Sequence, residues 1–229
     1  MSRFISILAA FVALIITSCE KVDNTSEENV DATSGASKPS GNNENGGQGV
    51  SDGKTLIIVF SRAGENWQVG IVDKGNTMVM AEYIQEATGA DLFEIVPENA
   101  YPQSYSDMLT VATNEKDAGA RPKFKGAVDN LEQYANVFIG GPIWWGEPPM
   151  ILHTFCEAYP ALGGKTLIPF GTHGGSGIGS YSTLLKSYYP DAKYAESLGI
   201  SGASIREAAS KTAVQEWVRK IGLEKKTQQ

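Results

Sequence analysis

The chain has 229 residues, of which 26 are acidic and 19 are basic, so its formal net charge is −7 at pH 7. This balance excludes a domain built to bind nucleic acid, because such domains present a basic face to the phosphate backbone. Only one of the two cysteines, Cys156, lies beyond residue 19, which excludes a domain stabilised by its own disulfides.

The first predicted element is a short apolar segment at the N-terminus. Arg3 precedes a largely apolar run of 13 residues, 4–16. This run is too short to cross a bilayer as a helix, which needs about 20 residues, and it indicates the core of a signal peptide. The next residues, Ile-Thr-Ser-Cys at 16–19, resemble the lipobox of bacterial lipoproteins. Residues 1–19 are therefore expected to be a lipoprotein signal with the lipid on Cys19; an ordinary secretory signal with a chance cysteine is the alternative.

A polar segment follows at residues 20–53. It contains no Phe, Trp or Tyr, and its seven acidic and two basic side chains give it a net charge of −5. Because it cannot bury enough apolar surface to offset its ordering entropy, it is predicted to be a disordered tether. Residues 54–229 remain, enough for one α/β domain with a sizeable core.

Five apolar runs rich in Val, Ile and Leu predict the strands of that domain. The runs are uninterrupted rather than alternating, which is typical of strands buried on both faces and so of a parallel sheet. They lie at residues 55–60, 92–96, 136–140, 166–170 and, more weakly, 195–200.

Helical patterns lie between and after these strands. The first helix is predicted to begin at Thr77, and the third follows Pro148 and Pro149. The last is predicted to begin at Ser204, where Glu207 completes a capping box. Alternating strands and helices with right-handed crossovers predict a three-layer, doubly wound α/β domain. The second helix has its apolar positions on one face at Tyr105, Met108, Leu109 and Ala112.

Ligands of such domains lie beyond the carboxyl ends of the strands, so the segments that follow the strands form the candidate site. The segment after the first strand contains hydroxyls and glycine at residues 61–64 and 75–77. The segment after the third is aromatic at 140–149, and the segment after the fourth is rich in glycine at 171–179. Hydroxyls suit a phosphate, aromatic side chains suit a flat ring, and glycines allow a backbone to approach a ligand closely. A phosphorylated cofactor is the first hypothesis, and a βα loop without a ligand is the alternative.

These segments resemble the flavodoxin family, in the branch of flavodoxin-like lipoproteins, and the resemblance covers residues 54 to about 222. Family members carry a phosphate loop of the form S-x-T-G-N-T. Here residues 61–64 resemble its first half and residues 75–77 its second half, with residues 65–74 inserted. The resemblance implies a five-stranded parallel sheet in the order 2-1-3-4-5 and FMN as the cofactor. It places the FMN 5′-phosphate in a loop that contains Ser61, Arg62, Ala63, Asn76 and Thr77, with Arg62 adding charge.

The same resemblance places the isoalloxazine ring between two loops. His173 stands where many flavodoxins present a tyrosine, so the redox tuning of the family does not carry over. Core packing is the alternative role for the tandem tryptophans, and a histidine satisfied by its neighbours is the alternative for His173. One loop contributes Pro142, Ile143, Trp144, Trp145 and Gly146, and the other contributes Thr172, His173, Gly174 and Gly175.

Other kinds of site find little support in the sequence. The segment 174–179 lacks the third glycine of a dinucleotide motif and the second glycine of G-x-S-x-G, so no catalytic serine is predicted. No cluster of Cys, His and carboxylate side chains has metal-ligand spacing, so no metal is predicted. Cys156 and His153 share the third helical pattern and are predicted to be structural.

The resemblance and the N-terminus together predict an exported, lipid-anchored protein of a bacterial cell envelope that binds FMN. It would pass electrons to a redox partner protein or to a small oxidant such as a quinone, and the flavin would supply the chemistry. Two alternatives stay open: a flavin-free binding lipoprotein that keeps the fold, and an NAD(P)H-dependent flavin or quinone reductase.

Overall fold

The computed structural model describes residues 50–51 and 53–226 of the chain. The predicted signal peptide, Cys19 and nearly all of the predicted tether lie outside these residues. Ser51, near the end of the predicted tether, is bonded to the sheet. Its backbone N–H donates to Oδ1 of Asn136 (3.0 Å), and Nδ2 of Asn136 donates to its carbonyl oxygen (2.7 Å).

The described residues contain one main sheet of six strands and two small antiparallel pairs. The pairs are β2–β3 and β5–β6, and neither was predicted from the sequence. In chain order the strands are β1 (Lys54–Val59), β2 (Gly64–Asn66), β3 (Gly70–Val72), β4 (Asp91–Glu94), β5 (Val96–Pro97), β6 (Phe124–Lys125), β7 (Tyr134–Pro142), β8 (Thr166–His173), β9 (Lys193–Tyr194) and β10 (Leu198–Ser201).

The main sheet is parallel and runs in the order β4-β1-β7-β8-β10, which confirms the predicted order 2-1-3-4-5. In its centre Ile57 of β1 lies opposite Leu92 of β4 and Phe138 of β7. The fifth strand is divided. β9 pairs with the start of β8 and β10 pairs with its end, where one run was predicted over residues 195–200.

Five α-helices connect or follow these strands: α1 (Asn76–Thr88), α2 (Tyr105–Asp117), α3 (Met150–Ala158), α4 (Gly179–Tyr188) and α5 (Ala208–Lys220). The predicted capping box of the last helix is wrong. Helix α5 begins four residues after Ser204, because the Ser204 hydroxyl donates back to the carbonyl oxygen of Ser201 (3.3 Å) and residues 204–207 form a turn. No helix in the described part of the chain has the length and hydropathy needed to cross a membrane.

The sheet has a separate apolar core on each face, which explains its continuous apolar strands. Successive side chains of β1 point to opposite faces, so Ile58 packs toward α2, α3 and α4 while Ile57 packs toward α1 and α5. Every residue from Leu56 to Val59 is buried. This three-layer arrangement brings the carboxyl ends of β1, β7, β8 and β10 to one edge, which positions the candidate site.

The two residues predicted to be structural lie on α3, away from that edge. Cys156 is buried, and burial raises the pKa of its thiol to about 12. His153 is half-buried and its Nδ1 lies 3.0 Å from the hydroxyl of Tyr188; burial, with a contribution from Arg121, lowers the pKa of the imidazole.

Candidate cofactor site

A cavity of about 250 Å³ opens at the carboxyl edge of the main sheet. Its volume is just below the range of about 300–1,000 Å³ that small-molecule sites occupy. Nine of the fourteen residues predicted to bind the cofactor line it: Arg62, Asn76, Pro142, Ile143, Trp144, Trp145, Thr172, His173 and Gly174. The other five, Ser61, Ala63, Thr77, Gly146 and Gly175, adjoin lining residues in the same loops.

The structure joins the two halves of the predicted phosphate loop. The inserted residues fold out as the β2–β3 hairpin, so Gly75 returns directly against Ser61 and Arg62. A Cβ atom on Gly75 would overlap Oγ of Ser61 and lie 2.5 Å from the carbonyl oxygen of Arg62. Only glycine therefore allows the two segments to meet at this distance.

The first turn of α1, like that of any helix, has backbone donors without an intrahelical partner, and here they lie beside the cavity. Oγ of Ser61 accepts from the backbone N–H of Met78 (3.0 Å), and the carbonyl oxygen of Gly75 accepts from that of Val79 (3.3 Å). In residues 50–51 and 53–226, by contrast, no oxygen accepts from the backbone N–H of Asn76 or Thr77. The first turn also contains no acidic side chain. These donors lie at the positive end of the helix dipole, an arrangement that favours an anion.

The Thr77 hydroxyl bonds to another side chain. It lies 2.7 Å from the hydroxyl of Thr172, and both side chains are buried. The bond joins the start of α1 to the end of β8. Thr77 therefore offers the site its backbone N–H, while its hydroxyl holds two walls of the cavity together.

The Arg62 guanidinium supports the loops around the cavity. It is buried, and it donates to the carbonyl oxygens of Pro102 (2.9 Å), Ala63 (3.0 Å) and Glu65. Burial lowers the pKa of this guanidinium from its usual value. Arg62 thus fixes the base of the hairpin and the segment before α2, while lining the cavity itself.

The two tryptophans lie in a tight turn after β7. The backbone N–H of Trp144 donates to the carbonyl oxygen of Glu147 (2.8 Å), and the reverse bond measures 3.0 Å. Both central residues are left-handed, with φ of 52° at Trp145 and 80° at Gly146. A bulky residue rarely adopts that conformation, and such strain often marks a functional site. Lys116 Nζ donates to the carbonyl oxygen of Trp145 (3.2 Å) and holds the turn.

The two neighbouring indoles have different environments. Trp144 packs edge-on against Phe60 and Tyr101, with ring centroids 5.6 and 5.3 Å away, and is half-buried. Trp145 is 53% exposed at the rim of the cavity. Trp144 therefore fits the core-packing role and Trp145 fits the role of a platform for a ring, although both indoles line the cavity.

The glycine-rich loop after β8 forms the opposite wall. Nδ1 of His173 accepts from the backbone N–H of Gly175 (3.0 Å), so the imidazole proton belongs on Nε2. The carbonyl oxygen of Thr172 accepts from the backbone N–H of Ile143 (2.9 Å), which ties this loop to the one after β7. The histidine is thus satisfied by a neighbour and also lines the cavity.

Several lining residues were not predicted. The sequence placed four residues of α2 on one apolar helix face without linking them to the site, and they form a cavity wall: Tyr105, Met108, Leu109 and Ala112. Trp67, at the tip of the β2–β3 hairpin, lies 5.7 Å from the Tyr105 ring between centroids. Its Cδ1 would be 3.1 Å from a Cβ on Gly174. A tryptophan within the inserted residues 65–74 was the sequence signal for this wall. Asn66 and Gly202 complete the lining.

The cavity has one polar end and one apolar end. Free N–H groups and the Asn76 amide lie at the start of α1, whereas α2 and the tryptophan turn supply apolar surface. The fold and this site define an α/β protein with a ligand site at the edge of a doubly wound sheet. The family described as flavodoxin matches residues 70–221, well over half of the chain, and the protein belongs to the flavodoxin family.

Solved structures agree with this assignment. A protein of Bacteroides eggerthii, provisionally described as a flavoprotein, is 32% identical; the match covers 76% of this chain and all of that one, with a TM-score of 0.60. A similarly described protein of Bacteroides uniformis is 28% identical over 74% of this chain and 99% of that one (TM-score 0.58).

A more distant structure shares the fold. The flavoprotein of Lactobacillus acidophilus in complex with FMN is 20% identical, and the match covers 69% of this chain and 99% of that one with a TM-score of 0.51. Among proteins with curated descriptions, none matches this chain significantly.

Proposed function

We propose that this domain binds FMN non-covalently in the cavity and carries electrons to a partner protein or to a small oxidant such as a quinone. The observation that carries the proposal is the pairing of free N–H groups with an aromatic rim in one cavity. A phosphorylated ligand with a flat ring needs both. When bound, FMN supplies the capacity to store and release electrons.

The polar end fits the phosphate. The backbone N–H groups of Asn76 and Thr77 lie at the positive end of the α1 dipole, where they can donate to phosphate oxygens. Ser61 and Gly75 keep the two loop segments together. Glycine at residue 75 is what lets these two segments approach so closely. Arg62 keeps its structural bonds and contributes positive charge from the cavity wall.

The aromatic rim and the facing loop fit the ring. Trp145 is exposed and offers a face for stacking, while Trp144 fixes the base of the turn against the core. Pro142 and Ile143 continue that wall, and residues 172–175 form the opposite one. In this proposal the residues orient the ring and exclude water from one side. No general acid or base is required, and the L. acidophilus flavoprotein, solved with FMN, offers a precedent within the same fold.

A flavin titration tests the proposal. Adding FMN to the flavin-free domain should give saturable quenching of flavin and tryptophan fluorescence, since the ring stacks on an indole. Riboflavin should bind much more weakly, because it lacks the phosphate. Failure to quench, together with absence of flavin from the purified protein by mass spectrometry, would favour the flavin-free binding protein instead.

A second assay separates a carrier from a reductase. As a carrier, the FMN-loaded protein should keep its flavin absorbance with NADPH or NADH alone and should bleach when a flavoprotein reductase is also added. Rapid bleaching by the nicotinamide alone would identify a direct reductase.

We also propose that the protein is anchored in the bacterial envelope through lipid on Cys19. The support is the apolar run at residues 4–16 followed by Ile-Thr-Ser-Cys. Several acyl chains would make the anchor stable, whereas a single chain would be marginal. Cys19→Ser should move the protein from the membrane fraction to the soluble fraction and leave FMN binding unchanged. A wild-type protein that is soluble, or that incorporates no radiolabelled palmitate, would contradict the anchor.

A further inference from the structure

Arg206 occupies an unexpected position beside the start of α1. It belongs to the turn between β10 and α5, far from the phosphate loop in sequence. Its Nη1 donates to Oδ1 of Asn76, and its Nη2 donates to the carbonyl oxygen of Lys74 (2.6 Å). The guanidinium therefore contacts the residues on either side of Gly75.

The charge of Arg206 has no partner at this place. Within the described residues no carboxylate lies within ion-pair distance of its guanidinium, and Lys74 next to it is paired with Glu82 instead (2.5 Å). A cation at a helix N-terminus opposes the helix dipole. The positive charge, the dipole and the free N–H groups of Asn76 and Thr77 thus all favour one and the same occupant, an anion.

The turn that carries Arg206 is built to approach α1 closely. Gly202 lines the cavity, and a Cβ at that position would lie 2.7 Å from Nδ2 of Asn76. The backbone N–H of Gly202 donates to the carbonyl oxygen of His173 (2.9 Å), which fixes the turn against the loop after β8. These contacts hold the turn beside Asn76. The exposed Arg206 side chain reaches Asn76 and Lys74 from the turn and does not itself line the cavity.

We infer that Arg206 is a phosphate-binding residue that selects phosphorylated over unphosphorylated ligands. The inference rests on the proposed FMN site and deepens it. The free N–H groups take part of the phosphate, and the guanidinium donates to an oxygen that they leave open. A phosphate has three strong acceptor oxygens, which suits this divided set of donors. Arg206 orients Asn76 at the same time.

A comparison of FMN with riboflavin tests this role. Arg206→Gln keeps a hydrogen-bonding side chain but removes the charge. We expect it to weaken FMN binding about tenfold and to leave riboflavin binding unchanged, since charge-assisted bonds to phosphate exceed neutral ones. Arg206→Lys should recover part of the loss. Arg219→Gln is the matched control, because it removes an arginine charge from the far end of α5 and should change neither affinity.

Inorganic phosphate provides a readout that needs no flavin. At fixed ionic strength it should raise the melting temperature of the ligand-free wild-type protein and raise that of Arg206→Gln much less. Equal loss of FMN and riboflavin affinity in Arg206→Gln would assign the residue to loop support and overturn the inference.

The two proposals can fail separately. If the wild-type protein binds FMN and Arg206→Gln binds it equally well, only the role of Arg206 is overturned. If the wild-type protein binds no flavin, the proposed function fails, and the phosphate melting experiment still decides whether Arg206 forms an anion site. A phosphate effect that is the same in both proteins would overturn that role as well.

Discussion

Within the part of the chain that the structure describes, polar groups have hydrogen-bond partners in the interior of the sheet, whereas some at its carboxyl edge have none. In the interior they are paired: the buried amide of Asn136 is bonded on both sides to Ser51. At the edge, the backbone N–H groups of Asn76 and Thr77 have no acceptor among the described residues. The edge also holds Trp145 in a left-handed conformation.

This difference indicates which region carries function. Unpaired donors and backbone strain both cost stability, and they persist where a ligand compensates for them. Among the buried side-chain polar atoms of the described residues, only the Tyr181 hydroxyl has no hydrogen-bond partner. The comparison predicts that edge substitutions mainly change ligand affinity, whereas interior substitutions mainly change the free energy of unfolding.

The largest effect is expected from Gly75→Ala at the edge. The added Cβ would overlap the Ser61 hydroxyl and force the start of α1 away from the first loop segment. Losing one charge-assisted hydrogen bond costs about 1.5–3 kcal/mol, which lowers affinity by about 10- to 150-fold. FMN affinity, measured by fluorescence titration, should fall at least this far, and riboflavin affinity should fall less.

The control for this variant is Gly164→Ala, where no atom lies within 4 Å of the added Cβ. It should leave both affinities unchanged. If Gly75→Ala binds FMN as the wild-type protein does, the phosphate does not lie at the start of α1.

Trp144 and Trp145 allow an interior side chain and an edge side chain to be compared at adjacent positions. Trp144→Ala removes a ring packed on Phe60 and Tyr101 and should lower the free energy of unfolding by about 2 kcal/mol, less than a fully buried ring would. Trp145→Ala removes an exposed ring, so stability should hold while FMN affinity drops by about 1 kcal/mol or more. Urea denaturation and flavin titration of both variants provide the measurements.

A third variant separates ring from backbone at the same position. Trp145→Gly loses the indole but suits the left-handed φ, so it should bind FMN as poorly as Trp145→Ala and be more stable by up to about 1 kcal/mol. If Trp145→Ala instead unfolds the domain and Trp144→Ala only loses FMN, the assignment of core and rim is reversed.

The sheet could be predicted from the sequence because its signal is local. Four consecutive buried residues in β1 produce an uninterrupted apolar run, and each of the five runs corresponds to a strand position. Ser61 and Gly75 could likewise be placed in one loop, because the residues between them look like an insertion. What the sequence predicted wrongly was also local. The Ser204 hydroxyl donates to the carbonyl oxygen of Ser201 and does not accept from a backbone N–H of α5, since a serine hydroxyl can bond to the backbone on either side of it.

The rest of the site depends on contacts between distant segments. Arg206 meets Asn76 across 130 residues, and nothing in either local sequence indicates the other. Met108 lies on a helical face that packs into the core and also lines the cavity, so its apolar character fits both roles. Trp67 is brought back over the cavity by a hairpin whose short strands lack a clear apolar pattern.

The smallest effect is expected in the interior, at the one buried side-chain hydroxyl that has no hydrogen-bond partner in the described part of the chain. Tyr181 is fully buried, and its hydroxyl would lie 3.2 Å from a Cβ on Gly141. An unpaired buried hydroxyl is a cost, so Tyr181→Phe should raise the free energy of unfolding by up to about 1 kcal/mol. FMN affinity should not change, because Tyr181 does not line the cavity.

Tyr189, the C-cap residue of the same helix α4, is the matched control. It is equally buried, but its hydroxyl donates to the carbonyl oxygen of Cys156 (2.9 Å). Tyr189→Phe removes that bond and should lower the free energy of unfolding by about 1 kcal/mol. The opposite signs of the two changes, read from urea denaturation midpoints, distinguish an unpaired hydroxyl from a paired one while the lost atom stays the same. Two losses of equal size would mean that Tyr181 also has a partner, and the interior would then hold no exception to the rule of paired polar groups.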